Sequence, residues 1–155
     1  MRRKRSHKRT HEPDIEYASI AAGRFINYLM VEGKKSIAER VFYNALKVIE
    51  KEAKAAPLGV FEKALENTSP LLEVTSKRVG GANYQVPREV RPERKFFLAC
   101  KWIIQAARSQ KGKPMARKLA EELILASKNE GTAIRKKQNV HRMAEANRAF
   151  AHFAR

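Results

Sequence analysis

Apolar residues recur at spacings of three and four over most of this chain, a pattern typical of amphipathic helices. The spacing is lost over residues 1 to 12, which carry almost no apolar side chains, and again over residues 74 to 95. We therefore predict a mainly α protein: a disordered basic arm over residues 1–12, followed by a single helical domain over residues 13–155 with about six helices. A protruding two-stranded β-ribbon is expected at about residues 72–90, between the third and fourth helices.

Local start signals divide the helical pattern. Ser36 and Glu39 have the spacing of a capping box for the second helix, and Pro57 and Pro92 suit the first turns of the third and fourth helices. The last helix is expected to run from about Thr132 to near the C-terminus. The aromatic residues of the helical segments are assigned to the core: Phe25, Phe42, Phe61, Phe97, Trp102, Phe150 and Phe153.

The Gly80-Gly81 pair predicts the turn of the ribbon, because tight hairpin turns need positive φ angles that glycine adopts at no steric cost. With these glycines as the loop, Val79 opposes Ala82 as a hydrogen-bonded pair. The pairs then alternate, so that Pro87 falls opposite Val74 at a position where its missing N–H costs no ladder bond. A wider loop also fits the pattern.

This register gives the ribbon one wholly polar face and one mixed face. An isolated two-stranded ribbon is only marginally stable in water, so the mixed face is expected to pack against another part of the protein. Tyr84 lies on that face, and two interpretations stay open for it: stacking on a nucleic-acid base, or packing beneath Lys77.

The charge balance indicates a polyanionic partner. Lysine and arginine outnumber aspartate and glutamate by 33 to 16, which gives a net charge of +17. Such a charge destabilises an isolated compact chain, so a bound counter-charge is expected and nucleic acid is the first candidate. Residues 1–11 and 101–118 each carry six cations and no acid, whereas residues 24–66 carry eight cations against six acids. The cations thus form separate contact surfaces on a nearly neutral body.

No constellation of residues predicts catalysis, a cofactor or a metal site. Cys100 is the only cysteine and lies among apolar residues, which suggests a buried, reduced thiol. His141 and His152 lack metal-ligand spacing, and an RNA contact or a solvated face is the expectation for them. Glu121 and Glu122 are interpreted as a surface pair that balances nearby cations. No segment is long and apolar enough to cross a membrane, and we expect a cytoplasmic protein that is not an enzyme.

Two classes of nucleic-acid binder fit these features. A basic helical DNA-binding protein is the alternative, since short loops between helices are typical of such proteins. The cations here are divided among an arm, a ribbon and two loop tips. That distribution favours an irregular folded RNA, which the protein would bind at several separate sites.

Three strings carry a resemblance to a known family: VTSKRVGGANYQVPREVRPERK in the ribbon region, GKKSIAERVFY after the first helix, and HRMAEANRAFAHF near the C-terminus. With their spacing intact over nearly the whole chain, they resemble the bacterial form of protein seven of the small ribosomal subunit. The arm is idiosyncratic, and Ser109-Gln110 makes the approach to Lys111 less basic than the family pattern.

The resemblance implies a structural protein of the small ribosomal subunit. It implies direct binding to small-subunit ribosomal RNA in the 3′ major domain, a role in nucleating assembly of the subunit head, and a ribbon near the exit site for transfer RNA. Small-subunit proteins nine and eleven are the implied protein neighbours. The implied RNA-facing positions are Arg2, Arg3, Lys4, Arg5, Lys34, Lys35, Lys77, Arg78, Arg88, Arg91, Arg94, Lys95, Lys111 and Lys113, with Arg142 and Arg148 near transfer RNA.

Overall fold

The computed structural model describes residues 11 to 154, and it confirms a mainly helical fold with a β-ribbon between the third and fourth helices. The helices are α1 (Ile20–Leu29), α2 (Lys35–Ala53), α3 (Pro57–Thr68), α4 (Pro92–Ser109), α5 (Met115–Ser127) and α6 (Thr132–Ala146). The ribbon consists of β1 (Leu72–Val79) and β2 (Ala82–Glu89), and a 3-10 helix (Arg148–Ala154), here named the C-terminal segment, follows α6. The expectations for Arg2, Arg3, Lys4 and Arg5 lie outside the described residues.

The core lies where the apolar stripes of the helices meet, with α5 packed against α2, α3 and α4. Phe25, Phe42 and Phe61 are fully buried, and their ring centroids are 5.2 to 5.5 Å apart. Two of these three ring pairs meet edge to face, an arrangement that adds about 0.5–1.5 kcal/mol per pair to the burial of the rings. Burial also raises the pKa of Cys100 to about 12, so the thiol stays protonated as a core side chain.

The helix starts follow the local signals with one exception. Pro57 and Pro92 occupy the first turns of α3 and α4, as predicted. The capping box is wrong: α2 already begins at Lys35, and no side chain caps its first turn. Ser36 therefore lies inside the helix, and Glu39 instead faces Lys35 one turn away at 3.8 Å.

Three helix C-termini are closed by side chains from other parts of the chain. Arg108 donates to the carbonyl of Leu29 at the end of α1 (3.1 Å). Lys137 donates to the carbonyl of Asn67 near the end of α3 (2.6 Å), and the side chain of Asn67 donates in turn to the carbonyls of Ala126 and Ser127 in α5. These bonds satisfy carbonyls that have no partner within their own helices.

The expectation that Glu121 and Glu122 form a surface pair is half wrong. Glu121 meets Arg117 at 3.5 Å and Lys113 at 2.6 Å, as a surface carboxylate would. Glu122 is only 1% exposed, and its Oε1 accepts the backbone N–H of Ala133 at 2.8 Å. Glu122 thus caps the first turn of α6 from the neighbouring helix, where a carboxylate is favoured by the helix dipole.

The C-terminal region departs from the predicted single helix. α6 ends at Ala146, and the chain continues as the C-terminal segment, which packs against β2. Met143 and Ala146, near the end of α6, are exposed. Phe150 and Phe153 are half-buried and lie outside the helical core. The two rings pack against the ribbon instead.

Candidate nucleic-acid interface

The ribbon has the predicted register. Val79 pairs with Ala82, and the ladder continues to Leu72 opposite Glu89, with Pro87 opposite Val74. Gly80 and Gly81 have φ angles of +56° and +91°, so both turn positions need the freedom of glycine.

The mixed face of the ribbon is covered by the C-terminal segment. The ring of Tyr84 lies 5.1 Å from that of Phe150 and 5.3 Å from that of Phe153, measured between centroids. Lys77 donates to the backbone carbonyl of Phe153 at 2.7 Å. Tyr84 therefore packs within the protein, directly opposite Lys77 and against two rings that had been assigned to the helical core. The predicted need for support is confirmed, and this cluster supplies it.

Two contacts fix the base of the ribbon to the helical body. Arg94 in the first turn of α4 donates to Glu73 on β1 (3.2 Å). The backbone N–H of Leu71, just before β1, donates to Nε2 of His141 in α6 (3.1 Å). Burial, with a smaller contribution from Lys137, lowers the pKa of His141, which favours the neutral ring that this bond requires. His141 is half-buried and lines the cleft between β2 and α6, and its bond to Leu71 helps to anchor the ribbon.

The opposite face of the ribbon is open to solvent and polar, as the alternation predicted. Arg78 stands on this face, with Ser76, Asn83 and Gln85 exposed beside it. At the base of the ribbon, Arg88 and Arg148 line one cleft between β2 and α6. The same cleft includes Glu89 and Glu145, so its charge is mixed.

A second surface region lies at one end of the helical body, beginning with the residues that precede α1. Asp14 is buried and accepts hydrogen bonds from the hydroxyl of Tyr43 (2.6 Å) and the backbone N–H of Tyr17 (3.2 Å). Gly23 permits this close packing, because a Cβ there would lie 2.9 Å from the carbonyl oxygen of Glu12. The chain is thereby held so that His11 and Lys35 line a common cleft, which also includes the acids Glu12, Asp14 and Glu39, so its charge is mixed.

The loops after α1 and after α4 meet at this same end. An apolar groove is lined by Leu29, Val31, Lys34, Ile37, Ala38, Val41, Arg108 and Met115. Lys111 and Lys113 lie in the short loop that connects Arg108 to Met115. We name this region the basic end, comprising Lys34, Lys35, Arg108 and the loop of residues 110–114.

Several predicted contact residues already have acidic neighbours. Lys34 contacts Glu32 at 2.8 Å, and Lys113 contacts Glu121 at 2.6 Å. Exposed pairs of this kind contribute about 0–1 kcal/mol, so a phosphate can replace the carboxylate at little cost. The remaining positions lie at the surface: Arg91 before α4, Lys95 in its first turn, and Arg142 on α6.

Arg108 is the member of the basic end that sequence reasoning missed. It lies in the last turn of α4, where a basic residue is usual, so the sequence shows no separate signal for a surface role. Among residues 11–154, no group of three or more His, Cys, Asp or Glu is placed to hold a metal ion. None of the helices described is long and apolar enough to span a bilayer.

The fold and these surfaces are those of a basic, mainly helical protein whose described part shows no enzyme-like site. The family model described as ribosomal protein S7p/S5e matches residues 1–148, and the chain belongs to that family. Relatives named small ribosomal subunit protein uS7 include one from Thermosipho melanesiensis, 53% identical over 153 residues, and one from Thermotoga maritima, 52% identical over 153 residues, with 99% of each chain covered in both cases. One from Methylobacterium radiotolerans is 50% identical over 152 residues, covering 98% of this chain and 97% of the relative.

The comparisons confirm the family that the three sequence strings indicated. They place the chain among structural proteins of the small ribosomal subunit, which are not enzymes. They favour this class over the DNA-binding alternative.

Proposed function

We propose that the chain binds small-subunit ribosomal RNA directly, in the 3′ major domain, and nucleates assembly of the subunit head. The ribbon tip and the C-terminal region, with Arg142 and Arg148, lie nearest the transfer RNA exit site in this proposal. Small-subunit proteins nine and eleven are its neighbours. The residues before position 11, with Arg2, Arg3, Lys4 and Arg5, add contacts to the same RNA.

The observation that carries this proposal is the meeting of separate basic segments at one end of the body. Lys34 and Lys35 belong to the start of α2, and Lys111 and Lys113 to the loop before α5, yet Lys34, Arg108 and Met115 line a single groove. The ribbon adds a second contact region with Arg78 on its open face. Cations at well separated points of a rigid body suit a folded RNA, whose shape and phosphates are recognised together.

Binding of the purified protein to a 3′ major domain fragment tests this proposal. If about six to ten phosphates are neutralised, affinity falls roughly 10³- to 10⁵-fold between about 50 and 200 mM salt. A nuclease footprint maps the protected nucleotides. A flat salt dependence, or equal affinity for random duplex DNA, contradicts direct recognition of ribosomal RNA.

A pair of matched double variants locates the contact. Lys34→Ala with Lys35→Ala removes two charges from the basic end, and the log–log salt slope is expected to become shallower by about 1.8 if both contact phosphates. Lys47→Ala with Lys51→Ala removes the same charge further along α2, where both residues are exposed, and serves as the control. Equal loss of slope in the two double variants means that overall charge, rather than the basic end, carries the binding.

Head assembly and the exit site need their own measurements. Subunits reconstituted without the protein are expected to lack ordered footprints over the 3′ major domain, and added protein restores them. Exchange of Arg142 and Arg148 for alanine is expected to weaken transfer RNA in the exit site while leaving those footprints intact. Unchanged exit-site binding contradicts that part of the proposal.

A further inference from the structure

The groove at the basic end has a lining that the folding of the chain alone does not explain. Its walls are aliphatic, yet Val31 and Ile37 are each 53% exposed. Val31 lies between α1 and α2, and Ile37 lies outside the buried stripe of α2, which runs through Ala38 and Phe42. Apolar side chains that gather around an open groove with a polar rim are typical of a binding surface.

The size of the groove limits what enters it. Its volume of about 250 Å³ is just below the roughly 300–1,000 Å³ of pockets that take drug-sized ligands. A single flat ring system fits such a space. A packed helix or the face of a folded domain does not.

The rim is cationic. Lys34 and Arg108 line the groove directly, and two further cations, Lys111 and Lys113, lie in the loop that joins Arg108 to Met115. The guanidinium of Arg108 has five N–H donors, and its bond to the carbonyl of Leu29 (3.1 Å) holds it beside the groove. Glu32 is the acidic neighbour of Lys34, and both side chains are well exposed, so this pair exchanges readily for a phosphate.

We propose that this groove takes one unpaired base of the bound RNA, with the phosphates on either side of that base held by the rim. An unpaired nucleotide combines an apolar ring face with flanking negative charge, which matches an aliphatic slot inside a cationic rim. A base within a duplex is stacked and paired, so it does not enter. The inference rests on the proposed function, because it assigns a nucleotide subsite to the same RNA partner.

The test compares a groove variant with a matched control for binding to the 3′ major domain fragment. Val31→Ser with Ile37→Gln makes the groove polar. Ile20→Gln makes the same kind of change at a residue that is also 53% exposed, but at the opposite end of α1. The groove variant is expected to bind about 10-fold more weakly, near the lower end of the effect of removing one base-stacking side chain. Its salt slope is expected to stay unchanged, because no phosphate contact is removed.

Chemical probing of the RNA gives an independent readout. One unpaired base is expected to be protected by the wild-type protein and by Ile20→Gln, and to regain its reactivity with the groove variant. Equal affinity and equal protection for the groove variant and the control overturn the inference. If thermal unfolding shows that the double variant is not folded, Ile37→Ala takes its place, and the same two outcomes decide.

Crosslinking distinguishes an RNA base from a protein segment in the groove. A photoreactive phenylalanine in place of Ile37, in assembled subunits, is expected to crosslink to ribosomal RNA. Crosslinks to another ribosomal protein overturn the inference. If the wild-type protein fails to bind the RNA fragment, the proposed function itself fails; if it binds and only the groove results are negative, the groove inference alone is wrong.

Discussion

Glu122 provides the sharpest test of how the helical body is held together. Its carboxyl group is only 1% exposed and accepts the N–H of Ala133 at 2.8 Å, so it joins α5 to the start of α6. Glu122→Ala leaves that N–H buried without its partner and removes the cap. A lost charged hydrogen bond and an unsatisfied buried donor cost about 2–3 kcal/mol of unfolding free energy. For a domain of this length, this corresponds to a fall of about 5–10 °C in the midpoint of thermal unfolding.

The neighbouring carboxylate supplies the control for this experiment. Glu121 differs from Glu122 by one position, but it lies at the surface beside Lys113 and Arg117. Glu121→Ala is expected to cost about 0–1 kcal/mol. Glu122→Gln keeps an oxygen acceptor for Ala133 and is expected to lose less than half as much as Glu122→Ala.

Urea unfolding followed by circular dichroism measures all three variants on one scale. The reasoning is refuted if Glu122→Ala and Glu121→Ala lose the same free energy, because the buried cap then contributes nothing beyond a surface ion pair. It is also refuted if Glu122→Gln is as damaging as Glu122→Ala. In that case the hydrogen bond to α6 is not the source of the effect.

Three further predictions concern the ribbon. The pKa of His141 is lowered from 6.5 in the folded protein, so its contribution to stability is complete above pH 6.5 and is lost as the pH falls through the folded-state pKa. The unfolding free energy of His141→Gln should therefore depend less on pH across this range than that of the wild-type protein. Lys77→Ala removes the bond to the carbonyl of Phe153 and should speed amide exchange in the C-terminal segment, whereas Arg78→Ala should not. Equal exchange in the two variants would show that this bond does not hold the segment. Gly80→Val with Gly81→Val should disturb the ribbon and lower the unfolding free energy of the helical body by no more than about 1 kcal/mol, and collapse of the whole protein in urea would contradict this.

The sequence sufficed for the register of the ribbon because the information is local. Gly80-Gly81 sets the turn, and the two-residue period of a strand then fixes every pair up to Leu72 and Glu89. The support of the ribbon was not visible in the same way. Phe150 and Phe153 have a spacing that suits an α-helix facing the core as well as a 3-10 helix facing Tyr84. Only the three-dimensional packing separates these two arrangements.

Glu122 and His141, which form polar contacts between elements, left weak signals in the sequence. Glu122 lies on the stripe formed by Leu119, Leu123 and Ala126, so helical phase alone predicts its burial. His141 likewise lies seven residues after Ile134, on the same side of α6. Glutamate and histidine side chains are seldom buried unless they have partners, and here the partners come from distant parts of the chain. The groove was missed for a related reason: Val31 and Ile37 belong to no stripe, and only the fold places them beside Met115.

The closed ends of α1, α3 and α5 have an electrostatic consequence for a protein whose partner is a polyanion. The C-terminus of a helix carries about half a negative charge on its unpaired carbonyls, and this charge repels phosphate. The guanidinium of Arg108, the ammonium of Lys137 and the amide of Asn67 each donate to such carbonyls. The positive potential at the surface is therefore shaped by internal neutralisation of negative poles as well as by the number of lysines and arginines. Removing Lys137 would expose one of those poles and also take away a full positive charge, and both changes would weaken the attraction of RNA over a range longer than any direct contact.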